Sequence, residues 1–125
     1  EFLKKSQESE RAIEIAAFIG GRIIGTAGLE PVGYKEKIQH RADFGIAIEK
    51  EYWGRGIGKA LTLACIECAN QAGYLQMELE AVAKNVSAVR LYESVGFKEY
   101  GRNPRGFRAK TGWQELILMR LELDS

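Results

Sequence analysis

The chain is poor in metal-binding side chains. It has one histidine, His40, and two cysteines, Cys65 and Cys68. With no second cysteine pair this is too small a set for zinc, and no metal is expected. The chain also lacks an excess of either charge, since 18 Lys and Arg stand against 17 Asp and Glu for a formal +1. The strongly basic surface of a nucleic-acid binder is therefore missing, and a small ligand or a protein is the expected partner. No apolar run reaches the length of a membrane span and no charged-then-apolar leader opens the chain, so no membrane association is expected and the expected location is cytoplasmic. An initiating Met is absent too, from which an incomplete N-terminus is expected. What remains is 125 residues that are 46% hydrophobic and 28% charged, enough for one ordered domain, residues 1–125, around one core.

Periodicity divides this domain. Residues 1–10, mostly charged and polar, read as the tail of a helix. "AIEIAAFI" (12–19) and "RIIGTAGL" (22–29) are β-prone and are joined by Gly20 and Gly21, a pair suited to the positive φ angles of a two-residue hairpin. A polar stretch leads to the short strand "DFGIAI" (43–48). A helix is expected from about residue 56 to 72, closed by Gly73. Then follow a strand at 75–82, a helix at 86–95 closed by Gly96, and strands at 97–100 and 115–123. The order β, β, β, α, β, α, β, β implies a mixed α/β fold, with a parallel crossover in the middle and antiparallel pairing at both ends. Cys65 and Cys68 fall mid-helix on one face with Leu61, Ala64 and Ala72, which reads as core packing; a redox CxxC would open a helix behind a strand.

Between strand 43–48 and the helix lies "EYWGRGIGKALTLA" (51–64), with glycines at 54, 56 and 58. A glycine-rich turn at a helix N-terminus presents unpaired N–H groups and the positive end of the helix dipole to an anion, and glycine lets that anion approach closely. A phosphate fits there, although a tight strand-to-helix turn needs no ligand at all. The spacing excludes two familiar phosphate loops. GxxxxGK[ST] fails by one residue and has Ala60 where a hydroxyl belongs, and GxGxxG would need glycine at Lys59.

"YWGRGIGKAL" resembles the acetyl-CoA pyrophosphate loop of the GNAT superfamily of N-acetyltransferases: Gln or Arg, two variable residues, Gly, one variable residue, Gly or Ala. Gly56 and Gly58 match, while Trp53 stands at the first position. "NVSAVRLYESVGF" (85–97) is similar to the same family's Asn-x-x-Ala-x-x-Leu-Tyr-x-x-x-Gly-Phe helix at every position. The resemblance covers about residues 12–123. It implies a bent mixed sheet flanked by helices, lacking the family's N-terminal strand and first helices, with acetyl-CoA as cosubstrate wedged where strands 43–48 and 75–82 splay apart.

That family's chemistry, carried onto these residues, gives each a role. The amides of Arg55, Gly56, Ile57, Gly58 and Lys59 would hold the pyrophosphate. Ile46, Ala47 and Ile48 would pair their backbone with the pantetheine arm as a strand does, one N–H also stabilising the oxyanion. Tyr92 would be the general acid, since a phenol of pKa about 10 can protonate a thiolate whose conjugate acid lies near 8.5. Asn85 would either touch the cofactor or cap the helix. For the general base the candidates are Asp43, Glu49 and His40, with Asp43 preferred. The basic stretch 101–114 reads as a solvated loop. The C-terminal portion is similar to a branch that acetylates free amino acids and ribosomal-protein N-termini, so the acceptor implied is a small primary amine or a peptide N-terminus. A module that binds acyl-CoA without turnover is the alternative. A homodimer is also expected, through the sheet edge that a missing first strand would expose.

Overall fold

The computed structural model describes residues 2–7 and 11–123. Seven strands make one mixed sheet: β1 (Phe2–Gln7), β2 (Ile13–Ile19), β3 (Arg22–Pro31), β4 (Arg41–Ile48), β5 (Gln76–Val82), β6 (Lys98–Ala109) and β7 (Gly112–Glu122), in spatial order β1-β2-β3-β4-β5-β7-β6. Helix α1 (Ile57–Gln71) carries the crossover from β4 to β5, and α2 (Val86–Ser94) follows β5. Every neighbouring pair is antiparallel except β4 with β5.

The turn between β2 and β3 needs both of its glycines, because Gly20 and Gly21 have φ of 59° and 78°, the left-handed values of a type I′ hairpin. Period-2 alternation then sorts the strands. Ile13, Ile15, Ala42, Phe44, Met77, Leu79, Ile117 and Met119 are buried on one face. Helix α1 lies against this face through Ile57, Leu61, Cys65 and Ala69. Helix α2 reaches it through Tyr92, whose ring meets Phe44 and Phe97 edge-on at centroid distances of 6.3 Å and 6.0 Å. Cys65 is fully buried and its thiol is pushed up to about 12 by desolvation, consistent with a packing role. The alternate positions Glu14, Glu30, Asp43, Gly45, Ala47 and Glu80 are exposed on the other face.

Two expectations are corrected. Residues 2–7 form an edge strand paired with β2, not the tail of a helix, so a strand does stand ahead of the hairpin; residues 1 and 8–10 lie outside the described residues. The basic stretch 101–114 is not a loop either. It forms most of β6 and the start of β7, a hairpin whose register shifts between Glu99 and Gly101 and again between Asn103 and Phe107. Pro104 is tolerated because β6 is an edge strand. A Cβ on Gly106 would stand 2.5 Å from Leu116 Cδ1, so the bulged backbone lies directly on that side chain.

The parallel pairing of β4 and β5 is short, with Arg41, Ala42 and Asp43 opposite Gln76, Met77 and Glu78. It is fastened by Arg41, whose Nε and Nη2 both donate to the Glu78 carboxylate, while Gln76 Nε2 adds a third bond at 2.8 Å. These bonds hold the Glu78 carboxyl below its ordinary value. Stability from that lowered value is present above the unfolded glutamate pKa of about 4.3 and is lost as pH falls through the folded value. Glu78→Gln should therefore lower stability at neutral pH and flatten the dependence of the urea midpoint on pH below about pH 4.5. A loss of about 1–2 kcal/mol is expected, less than for a fully buried pair because a third of the Arg41 side chain is exposed. An unaltered acid limb would show that the pair contributes nothing to that titration.

Candidate active site

Beyond Asp43 and Glu78 the two parallel strands separate, and this gap is the site. In an antiparallel ladder, residues alternate between pointing their N–H and C=O at one neighbour and at the other. The Glu49 N–H donates to the Ile24 carbonyl at 2.9 Å. Stepping back along the β3–β4 register from that pair, Ala47 directs its backbone to Thr26, and Ile46 and Ile48 direct theirs into the gap. The Ile48 carbonyl is taken by the Trp53 indole N–H at 2.8 Å. The Ile46 backbone and the Ile48 N–H are left as a strand edge facing the opening.

Helix α1 begins at the end of this edge. Gly54 and Gly56 have φ of 77° and 79° and Gly56 is the N-cap, with no side chain capping the first turn. A Cβ at either would meet nothing within 4 Å, so conformation is what requires glycine there. Gly58 differs. Its Cβ would lie 3.2 Å from Leu91 and 3.4 Å from Ile48, so this glycine lets α1 pack against α2 and β4. The first intrahelical bond runs from the Ala60 N–H to the Gly56 carbonyl, leaving the N–H groups of Ile57, Gly58 and Lys59 without helical acceptors.

A cavity of about 540 Å³ joins these parts, lined by Ile46, Ala47, Ile48, Tyr52 to Gly54, Gly56 to Lys59, Asn85, Ser87, Ala88, Leu91 and Tyr92. All the residues expected at the cofactor are brought together here except Arg55, whose guanidinium sits over the Tyr52 ring at 5.2 Å. Asn85 caps α2, its Oδ1 accepting from the Ala88 N–H at 3.2 Å, and lines the cavity as well. Tyr92 is 8% exposed, and burial raises its phenol above the ordinary value. It stays protonated at neutral pH.

A second cavity of about 430 Å³ lies on the open face, lined by Glu14, Thr26, Gly28, Glu30, Asp43 and Gly45 among others, and shares Ile46 and Ala47 with the first. Asp43 is therefore across the strand from Tyr92 and does not line the larger cavity. Its carboxyl is raised first by burial, then by the like charges of Glu30, Glu80 and Glu78, which makes it a stronger base than an ordinary aspartate. The other two candidate bases line neither cavity. Glu49 is held by Arg22, and His40 lies near Glu78.

Reading the sequence assigned no role to Ala88 and Leu91, which share the cavity wall of α2 with Asn85 and Tyr92; the spacing 85, 88, 92 along a helix is the signal that marks them. Glu14, Glu30 and Glu80 were missed as well. Only the strand register brings Glu30 and Glu80 near Asp43, and Glu14 to the rim of the same cavity.

Among known proteins, the chain matches the model of the acetyltransferase (GNAT) family over residues 2–97. It is 32% identical over 81 residues to the [ribosomal protein bS18]-alanine N-acetyltransferase of Escherichia coli, covering 65% of this chain and 55% of that one. It is 32% identical over 83 residues to human N-acetyltransferase 8B, covering 66% of this chain and 37% of that protein. It thus spans between about a third and just over half of these relatives. Among solved structures, the GNAT acetyltransferase of Streptococcus pneumoniae superposes with a TM-score of 0.88 at 29% identity, over 94% of this chain and 70% of that one. The chain thus shares the fold of that structure, and it belongs to the GNAT acetyltransferase family.

Proposed function

We propose that this chain transfers the acetyl group of acetyl-CoA to a primary amine by direct attack in a ternary complex. One observation carries the reading: a single cavity runs from an uncapped helix N-terminus, along an unpaired strand edge, to a buried tyrosine. That sequence of groups suits an acyl-CoA, which is a pyrophosphate, an amide-bearing arm and a thioester in line. Bound there, acetyl-CoA supplies an electrophilic carbonyl.

The residues then divide the work. The N–H groups of Ile57, Gly58 and Lys59, with the positive end of α1, hold the pyrophosphate. Ile46 and Ile48 pair with the arm through their backbone, and the Ile46 N–H faces the carbonyl oxygen as negative charge develops on it. The amine nitrogen forms the C–N bond while the C–S bond breaks; the amine proton passes to the Asp43 carboxylate and the Tyr92 proton to the departing sulfur. An alkylammonium of pKa about 10.4 needs roughly 4 kcal/mol to lose its proton near neutral pH, and the raised Asp43 carboxyl reduces that mismatch. The products are CoA thiol and an N-acetylated amine. The acceptor, a small amine or a peptide N-terminus, enters from the open face beside Asp43. Two further lines support this: the name of the bS18-alanine N-acetyltransferase, which specifies an α-amine acceptor for that relative, and the cavity at Asp43 itself.

Tyr92→Phe should lower kcat for thiol release by about a hundredfold and leave acetyl-CoA affinity, measured by calorimetry, nearly unaltered. Undiminished kcat would remove Tyr92 from the acid role. Gly56→Val places a β-branched residue at φ of 79°, a strain of about 1–3 kcal/mol, and acetyl-CoA binding should weaken by at least about fivefold. Equal affinity in a folded variant would contradict the phosphate-loop assignment.

A further inference from the structure

The open face places like charges where a sheet normally avoids them. Glu30 on β3 is directly opposite Asp43 on β4, and Asp43 is in register with Glu78 on β5, so three carboxylates share one row across three strands. Opposed like charges on one face destabilise a sheet. Among the described residues, one of the three is answered, by the ion pair of Glu78 with Arg41. Among the described residues no Lys or Arg forms an ion pair with Glu14, Glu30 or Asp43, whereas Glu49, Glu78, Glu99, Glu115 and Glu122 each have one.

The unanswered carboxylates surround a space, not a flat surface. Gly28 and Gly45 are paired opposite each other in the row next to Glu30 and Asp43. A Cβ at Gly45 would meet nothing within 4 Å. This glycine floor and the small side chains of Thr26 and Ala47 leave the cavity of about 430 Å³, with Glu14 at its β2 side and Glu30 and Asp43 along β3 and β4. Two of its lining residues, Ile46 and Ala47, also line the proposed acetyl-CoA cleft.

Building on the proposed transferase reading, we propose that this cavity selects a small acceptor with two amino groups: one beside Asp43, where it is acetylated, and a second, still an ammonium, between Glu14 and Glu30. The second group supplies a cation that no described Lys or Arg places there, and relieves the repulsion among the carboxylates. A monoamine of the same length gains no such contact, and an acidic or zwitterionic acceptor meets repulsion from the same carboxylates.

Two measurements on the full chain test this. In calorimetry without acetyl-CoA, diaminobutane should bind measurably more tightly than n-butylamine, and binding should weaken with added salt. In thiol-release assays, kcat/KM should favour diaminobutane over n-butylamine by about tenfold or more. The double variant Glu14→Gln, Glu30→Gln should abolish most of that preference, acting chiefly on KM. Equal binding and equal kcat/KM for the two amines, or a preference that survives the double substitution, would overturn the proposal. So would a singly charged alanine-initiated peptide that outperforms the diamine. Diamine binding that depends on Glu14 and Glu30, with acetyl-CoA bound but no thiol released from any amine, would uphold the cation site and overturn the transferase reading instead.

Discussion

The structure depends on a parallel strand pair that stops early. β4 and β5 are hydrogen-bonded neighbours only from Arg41 to Asp43, and the Arg41–Glu78 ion pair ties them together at that end. A longer pairing would satisfy the Ile46 and Ile48 backbone within the sheet and close the gap between the two strands. A weaker start would let the two halves of the sheet part altogether, because β4–β5 is the one seam between β1-β2-β3-β4 and β5-β7-β6. The opening between β4 and β5 is therefore a controlled failure of sheet hydrogen bonding. Groups left unpaired in the middle of a protein normally carry a cost, and a ligand with amides of its own is what they suit.

Packing around that seam explains the three glycines of the loop separately. Gly54 and Gly56 turn the chain from strand to helix with left-handed backbone, which aims the first turn of α1 into the gap. Gly58 then allows Leu91 of α2 and Ile48 of β4 to close against α1. Helix α2 is thereby held where Tyr92 meets Phe44 and Phe97, one turn beyond the cavity wall formed by Ala88. The N-terminal turn of α1 and the Tyr92 end of the cleft are thus held together in part by the close approach that Gly58 permits.

Much of this was legible from local sequence. The hairpin at Gly20 and Gly21, both helices to within about a residue or two, and the glycine loop are set by neighbours along the chain, where turn chemistry and 3.6-residue periodicity act directly. Edge strands were not legible. β1, "FLKKSQ", is an edge strand, where charged residues are welcome, so the segment carries little strand signal. In β6 the Gly101, Pro104 and Gly106 positions read as loop residues, yet an edge strand with two register shifts accommodates all three. The acidic row was missed for another reason. Glu14, Glu30, Asp43 and Glu78 are separated by 13 residues or more along the chain, and only register brings them together.

Strand alternation also explains how one short segment can serve two cavities. Along β4, the side chains of Phe44, Ile46 and Ile48 turn toward the helices, while Asp43, Gly45 and Ala47 turn to the open face. The backbone contributes a third direction, in the plane of the sheet, where Ile46 and Ile48 face the gap. Core packing, an open strand edge and the floor of the open-face cavity are therefore carried by six consecutive residues without competing for the same atoms. The segment also limits what can vary. A larger side chain at position 45 would intrude on the open-face cavity alone, whereas one at 47 would intrude on both cavities and a change at 46 or 48 would disturb both the core and the strand edge. Substitution at Gly45 can thus reshape the open-face cavity while the cleft on the helix side stays as it is, because the pleat turns alternate side chains to opposite faces.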